Sequence, residues 1–432
     1  IPADTWSIAV GHTLTVDVLS VSGNPFAGLS LTYDVAVLHV NQVGGSDANP
    51  GTQALPFLTI QAAIAGAVAL GLIPAEVHVA AGTYNVDSGA STHIQLSNGR
   101  SLMGGYATDW SGRDPDMNVT TIRDLATTPG TATDPNRAIE ADSTIQATTV
   151  VDGFAIMGGG GVYSSAVFAN QGSPTLSDNV IDGGTGGTDS YGIFAAGVSG
   201  TPIEPAIIGN TIDGGSGGTN SYGIFDTFSE SLIYNNVIDG GTGVTNSYGI
   251  YITRSEAKVR NNTIDGGSGG SESNGIVHDG TGGISESVAE NNMVFTTGGT
   301  SRYCLVEFEA TNSDFKSVKN NDLWDCPTAF YRDQGTTNVQ DLDTTSISTG
   351  LGTNTLEFFG NISEPPMFVG GGDFHLTGSS PINTREGGLD QSGLAKGAFS
   401  TDKDNVLRTT PPAGAPTNAG AAGWSMGAYE RD

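Results

Sequence analysis

A repeated six-residue segment limits the folds open to this chain more than any other feature. It reads Asn, then Val or Thr, then Ile-Asp-Gly-Gly, and its four copies begin at Asn179, Asn210, Asn236 and Asn262. A second repeated segment follows each copy and contains Gly192, Gly223, Gly249 and Gly275 in turn. Both series advance by the same three steps, the first longer than the two equal steps that follow, which predicts a stack of similar structural units.

The period and the residue types favour one repeat architecture. Each unit holds short runs of strand-forming Val, Ile, Thr, Tyr and Phe and lacks the periodicity of helices. Helical repeats are therefore excluded, and a propeller blade needs about 40 residues rather than about 26. A coil of about 26 residues matches a parallel β-helix, whose neighbouring coils pair at about 4.8 Å. The chain is therefore predicted to be all-β and to form a right-handed parallel β-helix.

Repeated positions in such a stack lie above one another and form columns. Two isoleucine columns are expected in the core, because each repeat buries its apolar face against its neighbours. They contain Ile181, Ile212, Ile238 and Ile264, and Ile193, Ile224, Ile250 and Ile276. An internal ladder is predicted at a turn, from Asn179, Asn210, Asn236, Asn262, Asn292 and Asn321. Ligand binding by these amides is the alternative.

The rest of the sequence predicts three regions. Residues 1–40 alternate apolar and polar side chains, as in 13–19, and predict an added β element. Residues 41–345 are expected to form the β-helix, with a capping helix near 59–72 that buries Ile60, Ile64 and Val68. The first strand of the stack is expected within 77–84. Residues 346–432 are rich in Pro and Gly and predict an irregular C-terminal cap and tail.

The chain is strongly acidic. It has 45 Asp and Glu residues against 16 Lys and Arg, which gives a formal net charge of -29. Such a field repels nucleic acid and anionic membranes, so neither is an expected partner. The most apolar stretch, residues 60–75, contains Gln61 and Pro74, so no membrane span is expected. The sequence begins at Ile1 rather than Met, which fits a processed, exported product.

Several segments resemble a known group of proteins. Residues 45–52 and 56–64 are similar to the opening segment of secreted bacterial right-handed β-helix proteins of the pectin-lyase-like superfamily. Residues 104–106, 113–115, 120–122, 374–382 and 426–430 resemble an uncharacterised surface-protein branch of that superfamily. The resemblance implies the β-helix fold and an extracellular or cell-surface location. It implies no assigned activity, and it transfers no catalytic residue to this chain.

A cluster of charged residues is the first candidate site. Polysaccharide lyases on this fold need a basic residue beside the substrate, whereas glycosidases need paired acids on one face. The residues that could serve in such a groove are Arg254, Lys258, His278, Asp279, Arg302, Glu307 and Arg332. The alternative is a set of exposed charges that keeps the stack soluble.

The aspartates of the repeat are the second candidate site. Asp182, Asp213, Asp239 and Asp265 follow the buried isoleucines and should point outward or into the turn. Like charges at about 5 Å repel by roughly 1 kcal/mol per pair in water, so something must offset the repulsion. Bonds to the amides of the Asp-Gly-Gly turn would do so without an ion. A shared Ca²⁺ between coils is the alternative, although no cofactor is required.

An aromatic column is the third candidate site. Phe194, Phe225 and Tyr251 form an aromatic column that is expected to face outward, where it could bind a glycan or simply stabilise the sheet.

Cys304 and Cys326 are separated by slightly less than one coil, which predicts a disulfide between adjacent coils. Two buried free thiols are the alternative to that bond.

Together these features favour an extracellular or cell-surface β-helix with a structural, adhesive or fibre-forming role and no catalytic activity. The near-identical repeats carry little charge apart from the aspartates, as expected of a regular scaffold. The alternative is a polysaccharide lyase or glycoside hydrolase that binds a long polymer along the helix. The expected partners are a surface glycan or further copies of the chain, which would associate through residues 1–40.

Overall fold

A computed structural model describes most of the chain. The described residues are 13–14, 31–32, 35–281, 287–308, 315–333, 337–339, 357–394, 396, 398–408 and 424–429. They form an all-β parallel β-helix with three long sheets, so the predicted fold class is confirmed. No helix among them is long and apolar enough to cross a bilayer.

Eleven parallel strands make the first sheet. They are Ala36–Val40, Ala75–Ala80, Arg100–Tyr106, Val150–Asp152, Thr175–Ser177, Ala206–Ile208, Leu232–Tyr234, Lys258–Arg260, Val288–Glu290, Ser317–Lys319 and Glu357–Phe359. Nine parallel strands make the second sheet. They are Gly82–Val86, Thr120–Asp124, Ala155–Met157, Val180–Asp182, Thr211–Asp213, Val237–Asp239, Thr263–Asp265, Met293–Phe295 and Asp322–Leu323.

Ten strands make the third sheet, and the last of them pairs antiparallel. They are Ile94–Gln95, Asn136–Ala141, Tyr163–Asn170, Asp189–Ala196, Asn220–Thr227, Asn246–Thr253, Glu272–Asp279, Ser301–Glu307, Ala329–Asp333 and Thr337–Val339. Three small pairs complete the strands: Thr13–Leu14 with Leu31–Thr32, Ser216–Gly217 with Thr242–Gly243, and Phe368–Gly370 with Asp373–Leu376. The helices are α1 (Ile60–Ala69), the 3₁₀ turn Ser88–Ala90, and α2 (Ile382–Glu386).

The core consists of in-register columns. Ile181 pairs with Ile212, which continues to Ile238 and Ile264 in the second sheet. The third sheet repeats this arrangement from Ile193 to Ile276. Each of these eight side chains is at most 1% exposed. The repeat interval of the sequence therefore places equivalent residues directly above one another in the core.

The asparagine ladder lies at the turn between the first two sheets. The backbone N–H and the side-chain amide of Asn210 both donate to Asn236 Oδ1, at 2.8 and 3.1 Å. The same amide also donates to the Leu176 carbonyl. This arrangement repeats from Asn179 to Asn321 and continues to Asn361, which the sequence pattern missed. The ladder therefore gives the asparagine N–H groups and neighbouring carbonyls buried partners, and the loss of one such partner would cost about 1–3 kcal/mol.

The N-terminal helix differs in detail from its prediction. Helix α1 begins after Thr59, whose hydroxyl accepts the Ala62 N–H, and it packs against the first coil. It buries Ile60 and Ile64 as predicted, but Val68 is 49% exposed. Ala63 and Ala67 are buried instead. The buried face of the helix therefore runs through Ile60, Ala63, Ile64 and Ala67, and Val68 lies outside it.

The stack also begins earlier than predicted. Ala36–Val40 is the first strand of the first sheet and pairs in parallel with Ala75–Ala80. The first strand is therefore not within residues 77–84, and the first coil includes the end of the predicted 1–40 extension. Most of that extension lies outside the described residues. Its described part includes one antiparallel pair, between Thr13–Leu14 and Leu31–Thr32.

The described C-terminal residues lie along the side of the helix. We call residues 387–394, 398–408 and 424–429 the C-terminal strap. The Asn320 amide donates to the Gly387 carbonyl, and the Asn291 amide donates to the Leu389 carbonyl. The Asn235 amide donates to the Thr401 carbonyl, further back along the stack. The sequence predicted a cap at the end, but the strap follows a column of left-handed asparagines whose φ angles lie between 50° and 59°.

Candidate functional site

The seven candidate catalytic residues do not share one face. Lys258 lies in the first sheet and donates to the Glu256 carbonyl. Arg254, by contrast, lies after a strand of the third sheet, with its guanidinium 4.7 Å from the Phe228 ring centre. Arg302 begins a strand of the third sheet and pairs with Asp325 at 3.0 Å. Bases from different sheets and corners therefore cannot act together on one bond.

His278 and Glu307 are neighbours, but they face the interior. They pair in register in the third sheet, and both are 0% exposed. The His278 ring stacks on Phe315 at 4.8 Å, and its Nε2 accepts the Ser287 N–H. Glu307 accepts the Phe315 N–H at 2.8 Å. These contacts join the two side chains to Ser287 and Phe315 and leave both groups covered.

The remaining two candidates are occupied by surface contacts. Asp279 accepts the Tyr251 hydroxyl at 2.7 Å and the Thr281 N–H at 2.8 Å. Arg332 pairs with Glu272 at 3.3 Å, and its guanidinium lies 5.1 Å from the Tyr303 ring centre. Both residues therefore stabilise the edge of the aromatic face described next.

The outer face of the third sheet carries aromatic rings that largely cover one another. The predicted column Phe194, Phe225 and Tyr251 faces outward, with centre distances of 5.2 and 5.3 Å between neighbours. The sequence reading missed a second column beside it, Tyr191, Tyr222 and Tyr248, whose rings stack at 5.0 and 4.9 Å. Phe194 and the three tyrosines are at most 8% exposed. The rings therefore pack mainly on one another and leave little area for a sugar.

A glycine column places both aromatic columns on the same face. Gly192 lies between Tyr191 and Ile193 and is skipped in the pairing register. A Cβ at Gly192 would lie 2.6 Å from the Ile212 side chain, so this position points inward. Two consecutive inward positions put Tyr191 and Phe194, three residues apart, on the outer face. Strict alternation of inward and outward side chains would place Tyr191 and Phe194 on opposite faces of the strand, so it could not have predicted that they share one face.

The aspartate column lies on the outer face of the second sheet. Asp182, Asp213, Asp239 and Asp265 pair in register along it. The Oδ1 atom of each accepts the N–H of the second glycine in its own turn, at 2.7–2.9 Å. The contacts are those of the ion-free Asx turn that the sequence analysis favoured.

Burial changes the acidity along this column. It raises the pKa of Asp213 and Asp265, and repulsion from Asp182 adds to the effect at Asp213. Burial raises the pKa of Asp239 furthest, to about 7, with repulsion from Asp265 and Asp213 as further causes. Near neutral pH, about half of the Asp239 carboxyls are therefore protonated, whereas nearly all would be ionised in water.

A groove of about 450 Å³ lies beside the less buried end of the column. Its polar lining contains Asp182 and Asp213 in the second sheet, Thr185 in the adjoining loop, and Ser216 and Thr242 in the small strand pair beside the sheet. The glycines 158–160, 184 and 215 leave its floor free of side chains. The groove thus offers a polar surface of carboxylate and hydroxyl oxygens that runs across several coils.

A family model described as a protein of unknown function (DUF1565) matches residues 43–250. That family is one of pectin-lyase-like β-helices. These residues lie in the parallel β-helix, which agrees with that match. The family model and the fold therefore confirm the resemblance predicted from the sequence. Neither of them identifies an activity.

The chain is also similar to two solved structures. Pectate lyase Pel9A has a TM-score of 0.45 at 10% identity, covering 92% of this chain and 98% of that one. XylC, in its complex with xylose, has a TM-score of 0.35 at 12% identity, covering 70% and 76%. Neither value supports the transfer of an activity. No curated protein matches the chain.

The β-helix offers no clear metal centre in its described part. No three His, Cys, Asp or Glu side chains there lie close enough to hold one ion. The aspartates are aligned, but their Oδ1 atoms already accept turn amides. The predicted Ca²⁺ therefore has less support than the Asx turns, and it stays a prediction.

A disulfide joins Cys304 and Cys326, with Cα atoms 5.5 Å apart. Both side chains are at most 1% exposed. Cys304 occupies the position that glycine holds in earlier coils, where its inward side chain meets Cys326 instead of a packed isoleucine. The bond links the last regular coils of the third sheet to the turn that follows the second.

The buried acid Asp226 was not among the candidate residues predicted from the sequence. Asp226 is 0% exposed and lies in the inward column that continues through Ile252 to His278. It accepts the Ser231 hydroxyl at 2.6 Å. Burial raises its pKa to about 6, although hydroxyl contacts from Ser231, Ser229 and Ser255 oppose the change. The signal was present in the sequence, because an inward strand position held a charge near three serines.

Proposed function

We propose that the protein is an exported, non-catalytic β-helix with a structural or adhesive role outside the cell or at its surface. The dispersal of the candidate acids and bases supports this function. General acid–base catalysis needs groups within hydrogen-bonding reach of one bond. Here His278 and Glu307 are buried, Lys258 lies in another sheet, and Arg332 packs on the aromatic face.

We further propose that adhesion uses the groove beside Asp182 and Asp213. Its carboxylates and hydroxyls can accept and donate hydrogen bonds to sugar hydroxyls, and its glycine floor allows close approach. Arg123 is the single base among the described residues that line it. Together with a net charge of -29, this lining disfavours polyuronates and favours a neutral polysaccharide.

A groove-filling substitution tests this surface. Thr185 is exposed at the edge of the groove, so Thr185→Trp should fill the groove without disturbing the core. Binding of neutral and acidic polysaccharides would be measured by calorimetry with the wild type and the variant. We expect the wild type to prefer neutral chains and the variant to lose at least about tenfold in affinity.

Ser271→Trp is the matched control, because Ser271 is exposed but lies outside the groove. It should bind like the wild type. Equal affinity of Thr185→Trp and the wild type for a bound glycan would contradict the proposed surface. Recovery of the protein from the cytoplasm alone of its source cells would contradict the proposed location.

A fibre-forming role stays part of the proposal. Residues 1–40 were predicted to associate with further copies of the chain, and most of them lie outside the described residues. Light scattering of the full chain and of a chain starting at residue 35 would compare their masses. A larger mass for the full chain alone would support assembly through this segment, whereas equal monomer masses would contradict it.

A glycoside hydrolase is the second candidate function, and one observation favours it. Asp239, with its pKa raised to about 7, stands in register with Asp213 on a face that borders the groove. A protonated and an ionised carboxyl on one face are what glycoside hydrolysis needs. Release of reducing ends from a neutral polysaccharide, lost in Asp239→Asn, would establish this function in place of the non-catalytic one.

A further inference from the structure

A two-stranded hairpin covers the more buried end of the aspartate column. Its strands, Phe368–Gly370 and Asp373–Leu376, pair antiparallel. Phe374 lines a gap of about 180 Å³ together with Asp239 and Asp265, and its ring centre lies 6.1 Å from that of Phe295. Leu376 packs with Met293 of the second sheet and Met426 of the strap. The hairpin therefore links the helix to the C-terminal strap.

One histidine joins the hairpin to the strap. His375 Nδ1 lies 2.5 Å from Asp373 Oδ1 within the hairpin. Its Nε2 lies 2.7 Å from Asp404 Oδ2 in the strap. The ring also stacks on Tyr429, with centres 4.0 Å apart. The two ring nitrogens thus face carboxylates from two separate segments.

The protonation state of this ring decides whether both contacts are favourable. An imidazolium donates a hydrogen bond through each nitrogen, whereas a neutral imidazole donates through one alone. In the neutral state, one carboxylate would therefore face a ring lone pair. The titratable groups around the ring are Asp373, Asp404 and Tyr429, with Asp402 beside Tyr429. Asp373 and Asp404 favour the charged ring.

We propose that His375 is a pH-sensitive latch that holds the hairpin and the C-terminal strap together over the buried aspartates. When the ring loses its proton, the contact with one carboxylate becomes unfavourable and the hairpin opens more often. Opening uncovers Asp239 and Asp265 and lengthens the polar face that begins at the groove. This device is independent of the proposed adhesion, because it concerns the cover of the face and not a ligand.

The direction of the pH effect follows from the acidity of the ring. Burial alone would lower the pKa of His375, but its bonds to Asp373 and Asp404 outweigh burial and raise it. A folded pKa above the ordinary value of 6.5 means that the latch is fully stabilising below that value. The stabilisation is lost as the pH rises through the folded pKa. The latch therefore holds at lower pH and loosens at higher pH.

Two measurements on the full chain test the latch. The first is the NMR titration of the His375 ring, assigned from the signal that His375→Gln removes. The second is hydrogen exchange of peptides covering 366–376 and 424–429, corrected for the intrinsic effect of pH. We expect the ring to titrate above 6.5. Between 6.5 and that folded pKa, opening of both peptides should increase by up to about tenfold per pH unit, and above it opening should level off.

The variants separate the latch from a merely structural contact. Asp404→Asn removes one carboxylate and should lower the pKa of the ring, so that the rise in opening levels off at a lower pH. His375→Gln should make the corrected exchange independent of pH over the same range. His78→Gln removes a histidine bonded to Glu76 at the other end of the stack and should change neither readout. A ring that titrates at or below 6.5, or exchange that ignores its titration, would overturn the proposal.

Discussion

The aromatic face of the third sheet and the aspartate face of the second sheet come from the same coils, yet they have opposite characters. Tyr191, Tyr222 and Tyr248 stack on one another and are at most 8% exposed. Asp182 and Asp213, on the other face, border an open polar groove. The repeat therefore aligns equivalent side chains in both sheets, but the chemistry of those side chains decides whether they cover one another or stay open to solvent.

The aligned side chains of the two faces are stabilised in different ways. Stacked rings attract one another, so each added coil extends the contact. Stacked carboxylates repel one another, so each aspartate accepts the N–H of a turn glycine and the buried members hold protons more tightly. The difference suggests that the aromatic face stabilises the helix, whereas the aspartate face is available for binding.

Both faces depend on the core between them, so a charge in the core should have the largest effect. Ile238→Asp replaces a side chain that is 1% exposed and buries a carboxylate in an apolar column. We expect a loss of more than about 5 kcal/mol in the free energy of unfolding, measured by denaturant titration. Thr242→Ala, at an exposed position of the short strand Thr242–Gly243, should change it by less than about 0.5 kcal/mol. Equal losses would mean that inside and outside are reversed.

Removal of the disulfide should have the next largest effect. The double variant Cys304→Ser, Cys326→Ser opens the loop that the bond closes at the end of the glycine column. We expect a loss of about 2–4 kcal/mol in the free energy of unfolding. Mass spectrometry under non-reducing conditions should find no alkylatable thiol in the native wild type. Two alkylated cysteines there would contradict the bond.

Truncation of one ring should separate stabilisation from binding. Phe225→Ala removes a ring that contacts Phe194 and Tyr251, at 5.2 and 5.3 Å. We expect a loss of about 2–3 kcal/mol in the free energy of unfolding and unchanged glycan affinity. Lower affinity with unchanged stability would instead make the aromatic face the binding surface, as the alternative reading of the sequence had it.

The aspartate face should show a smaller effect of opposite sign. The raised pKa of Asp239 means that its stabilising effect is complete in acid and is lost as the pH rises from about 4 to about 7. Asp239→Asn keeps an oxygen for the turn N–H but removes the charge. We expect it to stabilise the protein by about 1 kcal/mol at pH 8 and to flatten the pH dependence of the melting temperature. Asp182→Asn, at the open end of the column, is the control and should change less. Destabilisation by Asp239→Asn at pH 8 would contradict this account.

Much of the fold could be predicted because the repeat interval is visible in the sequence. Once each repeat is taken as one coil, the positions of Ile212 and Asn236 follow from the spacing. The strap could not be predicted in this way. It follows left-handed residues such as Asn235 and Asn291, and the sequence does not reveal which distant carbonyls their amides bind.

The candidate site was harder to predict, because proximity along the chain is not proximity on one face. His278 and Asp279 are adjacent in sequence, but the first faces the core and the second bonds Tyr251 on the outside. The tyrosine column was missed because Gly192 shifts the alternation of the strand. The groove was missed because its floor is glycine, which carries no chemical signal in a sequence.

A product assay tests the central claim most directly, namely that these faces support and bind but do not cleave. Pectate, alginate, a glycosaminoglycan and neutral polysaccharides would be incubated with the protein and Ca²⁺. Unsaturated uronate absorbance and new reducing ends would both be recorded. We expect no product above that of a heat-unfolded sample. Steady product formation that is lost in Arg254→Ala, Arg302→Ala or Asp239→Asn would contradict the account and locate the active site.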